Sequence, residues 1–489
     1  MNELIHPASI KNNLAQLSNN LKTESKQDIL YSLLCQVRPI DFAKLKFPNL
    51  TEEERLEKNV NRSEMRVLIL DELLKLAQSN NWNLCTRCGS CFIYNGAFWE
   101  KLNEEELRHF LSDCAVRMGV NKTIAEDYKY VRELYEQFLF SAHLQPPDFD
   151  NETVLINLKN GTFRITTQNQ ELTQFSCKDF LTYQLPFEYD SNATCPMFLE
   201  YLDRVLPDKT SQAVLAEYAG YLFIRHRIGL KFENCLILYG SGANGKSVFF
   251  EIITELLGSE NVTNYSLSDI TDRSGYFRAE IVNKLLNYAS EISKEMDTAI
   301  FKRIASGETF TARSPYGKPF EVKNYAKLIF NANELPKDIE QTNAFFRRFL
   351  IIPFSVVIPE AEQDKELHRK IIDKELAGIF LWVLSGLRRL LANKNFTECQ
   401  AAVEALKQYK TESDSVQMFL DEKEYQRSHN DTKLLKELYS EYKSFCYEDG
   451  YRACSNRTLA ERLRNKHYAI EKKSNGRYVY IKNSNNTPY

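Results

Sequence analysis

The sequence predicts a multidomain α/β protein with a mostly helical N-terminal region, a core built on a mostly parallel sheet, and a C-terminal module of helices and a hairpin. Residues 52–76 and 104–140 are rich in helix-forming residues and carry apolar side chains at steps of three and four. Short apolar runs then alternate with helical stretches, at residues 235–239, 285–289 and 326–330. Alternation of strand and helix favours a parallel sheet covered by helices.

Composition limits the class of protein. The chain has 489 residues, 43% hydrophobic and 26% charged, which excludes wholesale disorder. Its net charge of −3 excludes a uniformly basic coat for nucleic acid but permits local basic patches. The longest apolar stretch, residues 377–384, is far short of the roughly 18 residues of a membrane span. With eleven cysteines and no secretion signal, we expect reduced thiols, a cytoplasmic location and no membrane partner.

Four segments are predicted: residues 1–145, helical and without an assigned role; 146–225, an intermediate segment; 226–406, the α/β core; and 412–489, the C-terminal module. In the intermediate segment, Asn160-Gly161 predicts the turn of a hairpin over residues 154–165, and residues 197–221 predict helices. Residues 407–415 are polar and predict a connector.

A phosphate-binding loop is predicted directly after the first core strand. The loop is Gly240-Ser241-Gly242-Ala243-Asn244-Gly245-Lys246-Ser247, and residues with helical character follow it. This is the strand, GxxxxGK[ST], helix pattern, in which glycines let several backbone N–H groups point inward at phosphate. Lys246 would contact the β and γ phosphates and Ser247 would bind Mg²⁺. The pattern therefore predicts ATP and Mg²⁺ as ligands.

Four further residues suit phosphoryl transfer. Glu291 follows the second core strand, where it could bind Mg²⁺ or orient the attacking water, although a solvated strand-end Glu is the alternative. Asn333 follows the third strand and could reach the γ phosphate, or it could be a turn residue. Arg347 and Arg348 lie among aromatic residues and could stabilise transition-state charge across a subunit boundary, or could form a structural ion pair.

Residues 311–320 predict a hairpin, because Ser314, Pro315 and Gly317 occupy turn positions. Tyr316 and Lys318 would lie at its tip, with Arg313 and Lys323 on its flanks. One aromatic ring for stacking and cations for phosphates suit single-stranded nucleic acid. The alternative is an exposed hairpin with ordinary solubilising charge.

The C-terminal module predicts a winged helix. Residues 433–448 and 455–466 predict helices, and residues 468–472 pair with 477–482 across a turn that ends at Gly476. Nine basic and two acidic residues occur between positions 452 and 482, which suits DNA. The residues predicted to contact DNA are Arg457, Arg462, Lys472 and Arg477. A basic face for docking another protein is the alternative.

Cys85, Cys88 and Cys91 form a CxxCxxC motif that also occurs in metal sites. No second CxxC follows, and Cys114 or Cys195 could join only through the fold, so reduced structural cysteines are predicted. The acids Asp148, Asp150 and Glu152 lie in a polar loop without partners. A primase domain is therefore expected to be absent.

With these elements in this order, the sequence resembles superfamily 3 helicases of the poxvirus and phage/plasmid primase-helicase type. The resemblance covers about residues 150 to 484, with residues 146–225 as the helicase-associated collar segment. It implies residues 240–247 as Walker A, Glu291 as Walker B, Asn333 as the sensor asparagine and Arg347-Arg348 as the arginine-finger region. It also implies an AAA+ ATPase that assembles as a hexameric ring and moves 3′ to 5′ on single-stranded DNA.

The expected function is an ATP-dependent replicative helicase of a phage, plasmid or mobile element, acting on single-stranded and forked DNA in the cytoplasm of a bacterial host. A separate primase or polymerase would be its partner. The alternative is a DNA-binding ATPase switch, such as an origin-recognition or loader protein, that hydrolyses ATP without processive unwinding. A third hypothesis is a signalling ATPase that acts without nucleic acid, and it predicts that DNA does not stimulate ATP hydrolysis.

Overall fold

A computed structural model describes residues 24–87, 89–144, 153–225, 230, 232–292, 296–313, 315, 317, 319–336 and 340–483. Several residues singled out from the sequence lie outside these ranges, namely Cys88, Asp148, Asp150, Glu152, Ser314, Tyr316 and Lys318.

The N-terminal region is mostly helical, as predicted. Its helices are α1 (Lys26–Gln36), α2 (Phe42–Lys46), α3 (Glu52–Leu56), α4 (Arg62–Ser79), α5 (Glu104–Arg117), α6 (Lys122–Ala125) and α7 (Tyr128–Ser141). Side chains set the helix starts: Asn61 accepts the N–H of Glu64, and the Glu64 carboxylate accepts the N–H of Asn61. A three-stranded antiparallel sheet was not predicted, and it consists of β1 (Asn83–Arg87), β2 (Ser90–Tyr94) and β3 (Trp99–Lys101).

The intermediate segment contains the predicted hairpin and helices. Its elements are β4 (Val154–Leu158), β5 (Gly161–Ile165), β6 (Gln170–Thr173), α8 (Pro196–Val205) and α9 (Lys209–Tyr221). Leu158 pairs with Gly161, so the two turn residues are Lys159 and Asn160, one position earlier than the predicted Asn160-Gly161. A single hydrophobic core joins this segment to the α/β core, since it includes Ile156, Phe198 and Leu238. The boundary predicted between residues 225 and 226 is therefore not a boundary in the packing.

The core is a five-stranded, all-parallel sheet in the order β13-β7-β12-β9-β8. Its strands are β7 (Cys235–Tyr239), β8 (Val262–Thr263), β9 (Leu286–Ala289), β12 (Lys327–Ala332) and β13 (Phe349–Pro353). A small antiparallel pair, β10 (Phe310–Ala312) and β11 (Phe320–Val322), is inserted before β12. The predicted strands and their parallel arrangement are confirmed.

Helices cover both faces of the sheet, because its side chains alternate between two cores. Leu236 and Leu238 share one core with α10 (Lys246–Leu257) and α15 (Leu367–Asn393). Cys235 and Ile237 face the other core. That second core includes side chains of α13 (Thr298–Ala305), α14 (Asn343–Phe346) and α16 (Gln400–Glu412). Two short helices, α11 (Leu267–Ile270) and α12 (Tyr276–Glu280), lie between β8 and β9 in the chain.

The C-terminal module has its own hydrophobic core and a three-stranded antiparallel sheet of order β14-β16-β15. Its elements are α17 (Ser415–Glu422), β14 (Tyr425–Leu434), α18 (Leu435–Glu448), α19 (Asn456–Asn465), β15 (Ile470–Lys473) and β16 (Gly476–Asn483). Two sequence predictions are corrected here. The polar connector over residues 407–415 is helical as far as Glu412, and β14 was not predicted because its side chains are almost all polar. Within the described ranges, no helix combines the length and apolarity needed to cross a membrane.

Candidate functional site

Three chain segments meet at the C-terminal edge of the parallel sheet. Strand β7 ends at Tyr239 opposite Ala332, the last residue of β12, and Phe330 of β12 lies opposite Ala289, the last residue of β9. The N–H of Gly240 donates to the Ala332 carbonyl at 3.0 Å. Residues 240–247 form the glycine-rich loop, and this register brings it together with the residues that follow β9 and β12. Ligands of open parallel sheets bind at this edge.

The glycine-rich loop curls through the left-handed region of backbone space. Gly242, Ala243 and Gly245 have φ angles of 109°, 50° and 85°. A Cβ atom at Gly240 would lie 2.2 Å from the Asn244 amide nitrogen and 2.3 Å from the Phe354 carbonyl oxygen. Only glycine avoids these contacts, so the first glycine of the pattern is required by packing. Successive residues with positive φ form a concave surface of N–H groups suited to an anion.

Lys246 is 5% exposed and extends back over this loop. Its Nζ donates to the Gly240 carbonyl at 2.7 Å and to Asn244 Oδ1 at 3.0 Å. Burial lowers the pKa of the Lys246 ammonium, and no carboxylate pairs with it among the described residues. A buried cation without a counter-charge favours an anionic ligand. The Asn244 side chain is fixed in turn, since its Nδ2 donates to the Phe354 carbonyl at 3.0 Å.

Glu291 and Asn333 are both exposed, two residues past β9 and one residue past β12. Ser247 is exposed in the first turn of α10. Hydroxyl and carboxylate oxygens fit Mg²⁺, which usually takes only one or two protein ligands beside water and phosphate. The buried residue Asn331 has another role, because its Oδ1 accepts a hydrogen bond from the Tyr288 hydroxyl at 3.0 Å.

Arg347 and Arg348 lie at the opposite edge of the sheet. They directly precede β13, whose first residue Phe349 pairs with Cys235, the first residue of β7. Tyr239, the last residue of β7, lies about 13 Å from Cys235 at roughly 3.3 Å per residue, and the glycine-rich loop begins beyond it. The two arginines are therefore separated from the loop of the same chain by the length of a strand.

The two arginines differ in environment. The Arg348 side chain is 8% exposed and donates to Ser306 Oγ at 2.7 Å and to the Lys302 carbonyl at 3.2 Å. The Arg347 side chain is 62% exposed, and its guanidinium lies 2.8 Å from the Glu233 carboxylate. Arg348 thus fits the structural alternative, whereas Arg347 can reach a neighbouring molecule.

The β10–β11 hairpin carries Arg313 just past β10, and both cations predicted on its flanks have partners. Arg313 donates to the Tyr276 hydroxyl at 2.8 Å, with its guanidinium 5.0 Å from the centre of the Tyr276 ring. Lys323 pairs with Glu321 at 3.1 Å. Tyr276 and Phe277 on α12 are partly exposed aromatic residues beside the hairpin, and the sequence prediction missed them. Two adjacent aromatic residues after Gly275, outside any apolar periodicity, were the available signal.

The C-terminal module presents cations that lack partners. Arg457 and Arg462 lie on α19, and Lys472 pairs with Arg477 across the β15–β16 hairpin. None of these four has a carboxylate partner within the described part of the chain, and all but Arg462 are exposed. Other cations nearby are neutralised, since Lys466 pairs with Asp414 at 2.7 Å and Lys473 lies 4.0 Å from Glu471.

The cysteines of the CxxCxxC motif do not face each other where they are described. Cys85 packs with Phe92 and Trp99 on one side of the β1–β3 sheet, and Cys91 packs with Ile93 on the other. Burial raises the pKa of the Cys85 thiol to about 12. Within the described residues, no three metal-binding side chains form a cluster. Cys85 and Cys91 are each packed among apolar side chains, and Cys88 lies outside the described residues.

Comparison with known proteins gives two family matches. Residues 68–207 match a family described as D5 N terminal like, and residues 238–348 match a family of unknown function, DUF5906.

Two viral relatives, both named provisionally as helicases, match parts of the chain. The chain is 27% identical over 238 residues to L207/L206 of Acanthamoeba polyphaga mimivirus, covering 46% of this chain and 24% of that protein. It is 22% identical over 340 residues to 121R of Invertebrate iridescent virus 3, covering 60% and 35%. The chain thus spans about a quarter to a third of the length of these relatives.

Solved structures of the NrS-1 C terminal region in its apo state also align with the chain. One has a TM-score of 0.46 at 14% identity, covering 83% of this chain and 97% of that one. Another has a TM-score of 0.43, also at 14% identity, covering 84% and 98%.

The matches thus relate parts of this chain to a family described as D5 N terminal like and to viral proteins named as helicases.

Proposed function

We propose that this protein is an AAA+ ATPase that uses ATP hydrolysis to translocate on single-stranded DNA and unwind duplex DNA. The observation that carries the proposal is the geometry of the central sheet. The Walker A loop, Glu291 and Asn333 meet at one edge, and Arg347 is exposed at the other.

At the C-terminal edge, each side chain has a role in phosphoryl transfer. Lys246 and the loop N–H groups bind the phosphates, and Asn333 contacts the γ phosphate or the attacking water. Glu291 orients that water as its oxygen bonds to the γ phosphorus, while the bond from that phosphorus to the bridging oxygen of the β phosphate breaks and ADP leaves. Ser247 and Glu291 would hold Mg²⁺, which supplies charge neutralisation on the phosphate oxygens when it is bound.

Arg347 acts on the site of a neighbouring subunit. The strand-length separation keeps it from its own Walker A loop, whereas in a ring the exposed edge of one subunit can face the loop of the next. A guanidinium supplied in this way stabilises charge on the transferring phosphoryl group. We therefore propose a closed ring, with six subunits as the resemblance implies.

Two surfaces would bind DNA. Arg313 directly follows β10 and donates to the Tyr276 hydroxyl, and Phe277 is the next residue of α12. One cation for phosphates and two partly exposed rings for stacking suit a single strand. The C-terminal module has the helix, strand, helix, helix, hairpin order of a winged helix, and the cations on α19 and its hairpin suit duplex DNA.

The test is displacement of a strand from a forked DNA by the purified protein with ATP and Mg²⁺, with Lys246→Ala as the matched control. Displacement by the wild type and none by the variant supports the proposal. ATP hydrolysis without displacement, on forks of either polarity and with assembly verified, contradicts it. That result favours the DNA-binding ATPase switch, for which the separate basic module is the supporting observation.

A further inference from the structure

The Walker A loop is contacted from behind by helix α8, which belongs to the intermediate segment. The Tyr201 hydroxyl donates to the Gly245 carbonyl at 2.8 Å. A Cβ atom at Gly245 would lie 2.7 Å from Val205 Cγ1, so α8 and the loop are packed as closely as glycine allows. Tyr201 is 5% exposed and belongs to the main hydrophobic core.

Helix α8 is itself fixed by a carboxylate from a distant helix. Glu375 of α15 is 4% exposed and accepts the N–H groups of Met197 at 3.1 Å and Phe198 at 2.9 Å. These are N–H groups of the first turn of α8, where Cys195 supplies no side-chain cap. A carboxylate at a helix N-terminus is doubly favourable, through hydrogen bonding and through the helix dipole.

The contact with Gly245 bears on phosphate binding through peptide geometry. The Gly245 carbonyl accepts two hydrogen bonds, from the Phe249 N–H at 3.1 Å within α10 and from Tyr201. The peptide bond is planar and trans, so the Lys246 N–H points opposite to that carbonyl, away from α8 and toward the concave side of the loop. Fixing the carbonyl therefore also fixes an N–H that the proposed nucleotide site uses.

We propose that Tyr201 is a positioning residue for nucleotide binding: its hydroxyl fixes the peptide between Gly245 and Lys246, and so couples the intermediate segment to the Walker A loop. This inference rests on the proposed ATPase function. Tyr201 does not touch the nucleotide; it reduces the freedom that the loop must lose when phosphate binds.

The experiment compares Tyr201→Phe with Tyr183→Phe. Each change removes one buried hydroxyl and keeps the ring, and Tyr183 donates to the Leu155 carbonyl at 3.0 Å in the same core.

ATP affinity is measured by calorimetric titration, kcat and KM by phosphate release, and folding by the melting temperature. We expect Tyr201→Phe to weaken ATP binding about three- to tenfold, the range for one lost hydrogen bond, with a smaller change in kcat. Tyr183→Phe should bind ATP as the wild type does.

Glu375→Gln is a second variant, remote from the loop. It weakens the acceptor at the start of α8 and should reduce ATP affinity in the same direction by a smaller factor. If Tyr201→Phe does not fold, Glu375→Gln decides the question. Equal ATP affinity in the wild type and the folded variants would overturn the positioning role and leave the ATPase function intact. A wild-type protein that does not bind ATP would instead overturn the proposed function.

Discussion

The two edges of the central sheet carry cations in opposite situations. At the C-terminal edge, Lys246 is held by a carbonyl and an amide oxygen, with no carboxylate partner in the described residues. At the N-terminal edge, Arg347 and Arg348 share the Glu233 carboxylate, at 2.8 and 3.7 Å. The positive charge of Lys246 is therefore available to an incoming phosphate, whereas the charges of Arg347 and Arg348 already have the Glu233 carboxylate as a counter-charge. Under the proposed mechanism, the C-terminal edge forms a site within one chain, whereas Arg347 acts on a neighbouring chain whose phosphate competes with Glu233 for its guanidinium.

The largest effect is expected from Lys246→Ala, which removes the cation of the C-terminal edge. ATP hydrolysis should fall by roughly a thousandfold or more, the scale of a lost contact to transition-state charge. The fold should persist, because among the described residues the Lys246 ammonium donates only to Gly240 and Asn244 of its own loop. Phosphate release and circular dichroism measure the two outcomes. Near-normal hydrolysis would remove the loop from the mechanism.

At the other edge, Arg347→Ala and Arg348→Ala should differ in kind. Arg347→Ala should lower kcat by roughly a hundredfold or more while ATP affinity and melting temperature stay near wild type, because the side chain is exposed. Arg348→Ala removes a buried cation and leaves Ser306 without its partner, so it should destabilise the fold by about 3 kcal/mol. Steady-state kinetics and urea unfolding separate the two results. If both variants are less stable but keep the wild-type kcat, neither arginine stabilises the transition state of ATP hydrolysis.

Mixing subunits sharpens the same comparison. The Lys246→Ala and Arg347→Ala proteins should each hydrolyse ATP far more slowly than the wild type when assayed alone. Mixed rings, however, contain interfaces in which one subunit supplies an intact Lys246 and its neighbour an intact Arg347. Co-assembled variants should therefore regain part of the activity. No recovery in verified mixed rings would contradict an arginine acting between subunits.

Elements that depend on adjacent residues could be predicted from the sequence. Runs of adjacent residues predicted the glycine-rich loop, its flanking strand and helix, and the strand ends that precede Glu291 and Asn333. Contacts between residues that are far apart in the chain could not be predicted. Glu233 and Arg347 are 114 positions apart, so the difference between the two arginines was invisible in the sequence. Strand β14 is polar and is held by pairing with β16, some 50 positions along the chain.

The buried lysine of the N-terminal edge, Lys327, allows the pH dependence of stability to be tested. Lys327 begins β12 at the N-terminal edge, where burial lowers its pKa to about 7 from an ordinary value of 10.5, and its ammonium lies 4.4 Å from the centre of the Tyr221 ring. Between these two values the unfolded chain binds more protons than the folded chain, so this residue's contribution to stability rises with pH. Below about pH 7 both states are protonated, and the contribution is constant.

Lys327→Met keeps the aliphatic stem and removes the charge. The free energy of unfolding of the variant minus that of the wild type should be largest at and below about pH 7 and should shrink as pH rises toward about 10. Urea titrations at several pH values measure this difference. A difference that does not change with pH would show that Lys327 titrates alike in both states.

The smallest effect extends the contrast between paired and unpaired cations to DNA binding. Arg457→Ala with Arg462→Ala removes two α19 cations that lack carboxylate partners in the described chain, whereas Lys473→Ala removes one that lies 4.0 Å from Glu471. The double variant should weaken binding to duplex DNA about tenfold at moderate salt and should flatten the dependence of log K on log salt by about two. Lys473→Ala should change the affinity and its salt dependence much less, because the charge of Lys473 is already partly neutralised.

Fluorescence anisotropy across a salt series measures both quantities. If all variants keep the wild-type slope, the basic face does not contact DNA phosphates and docking to another protein becomes the better explanation for it.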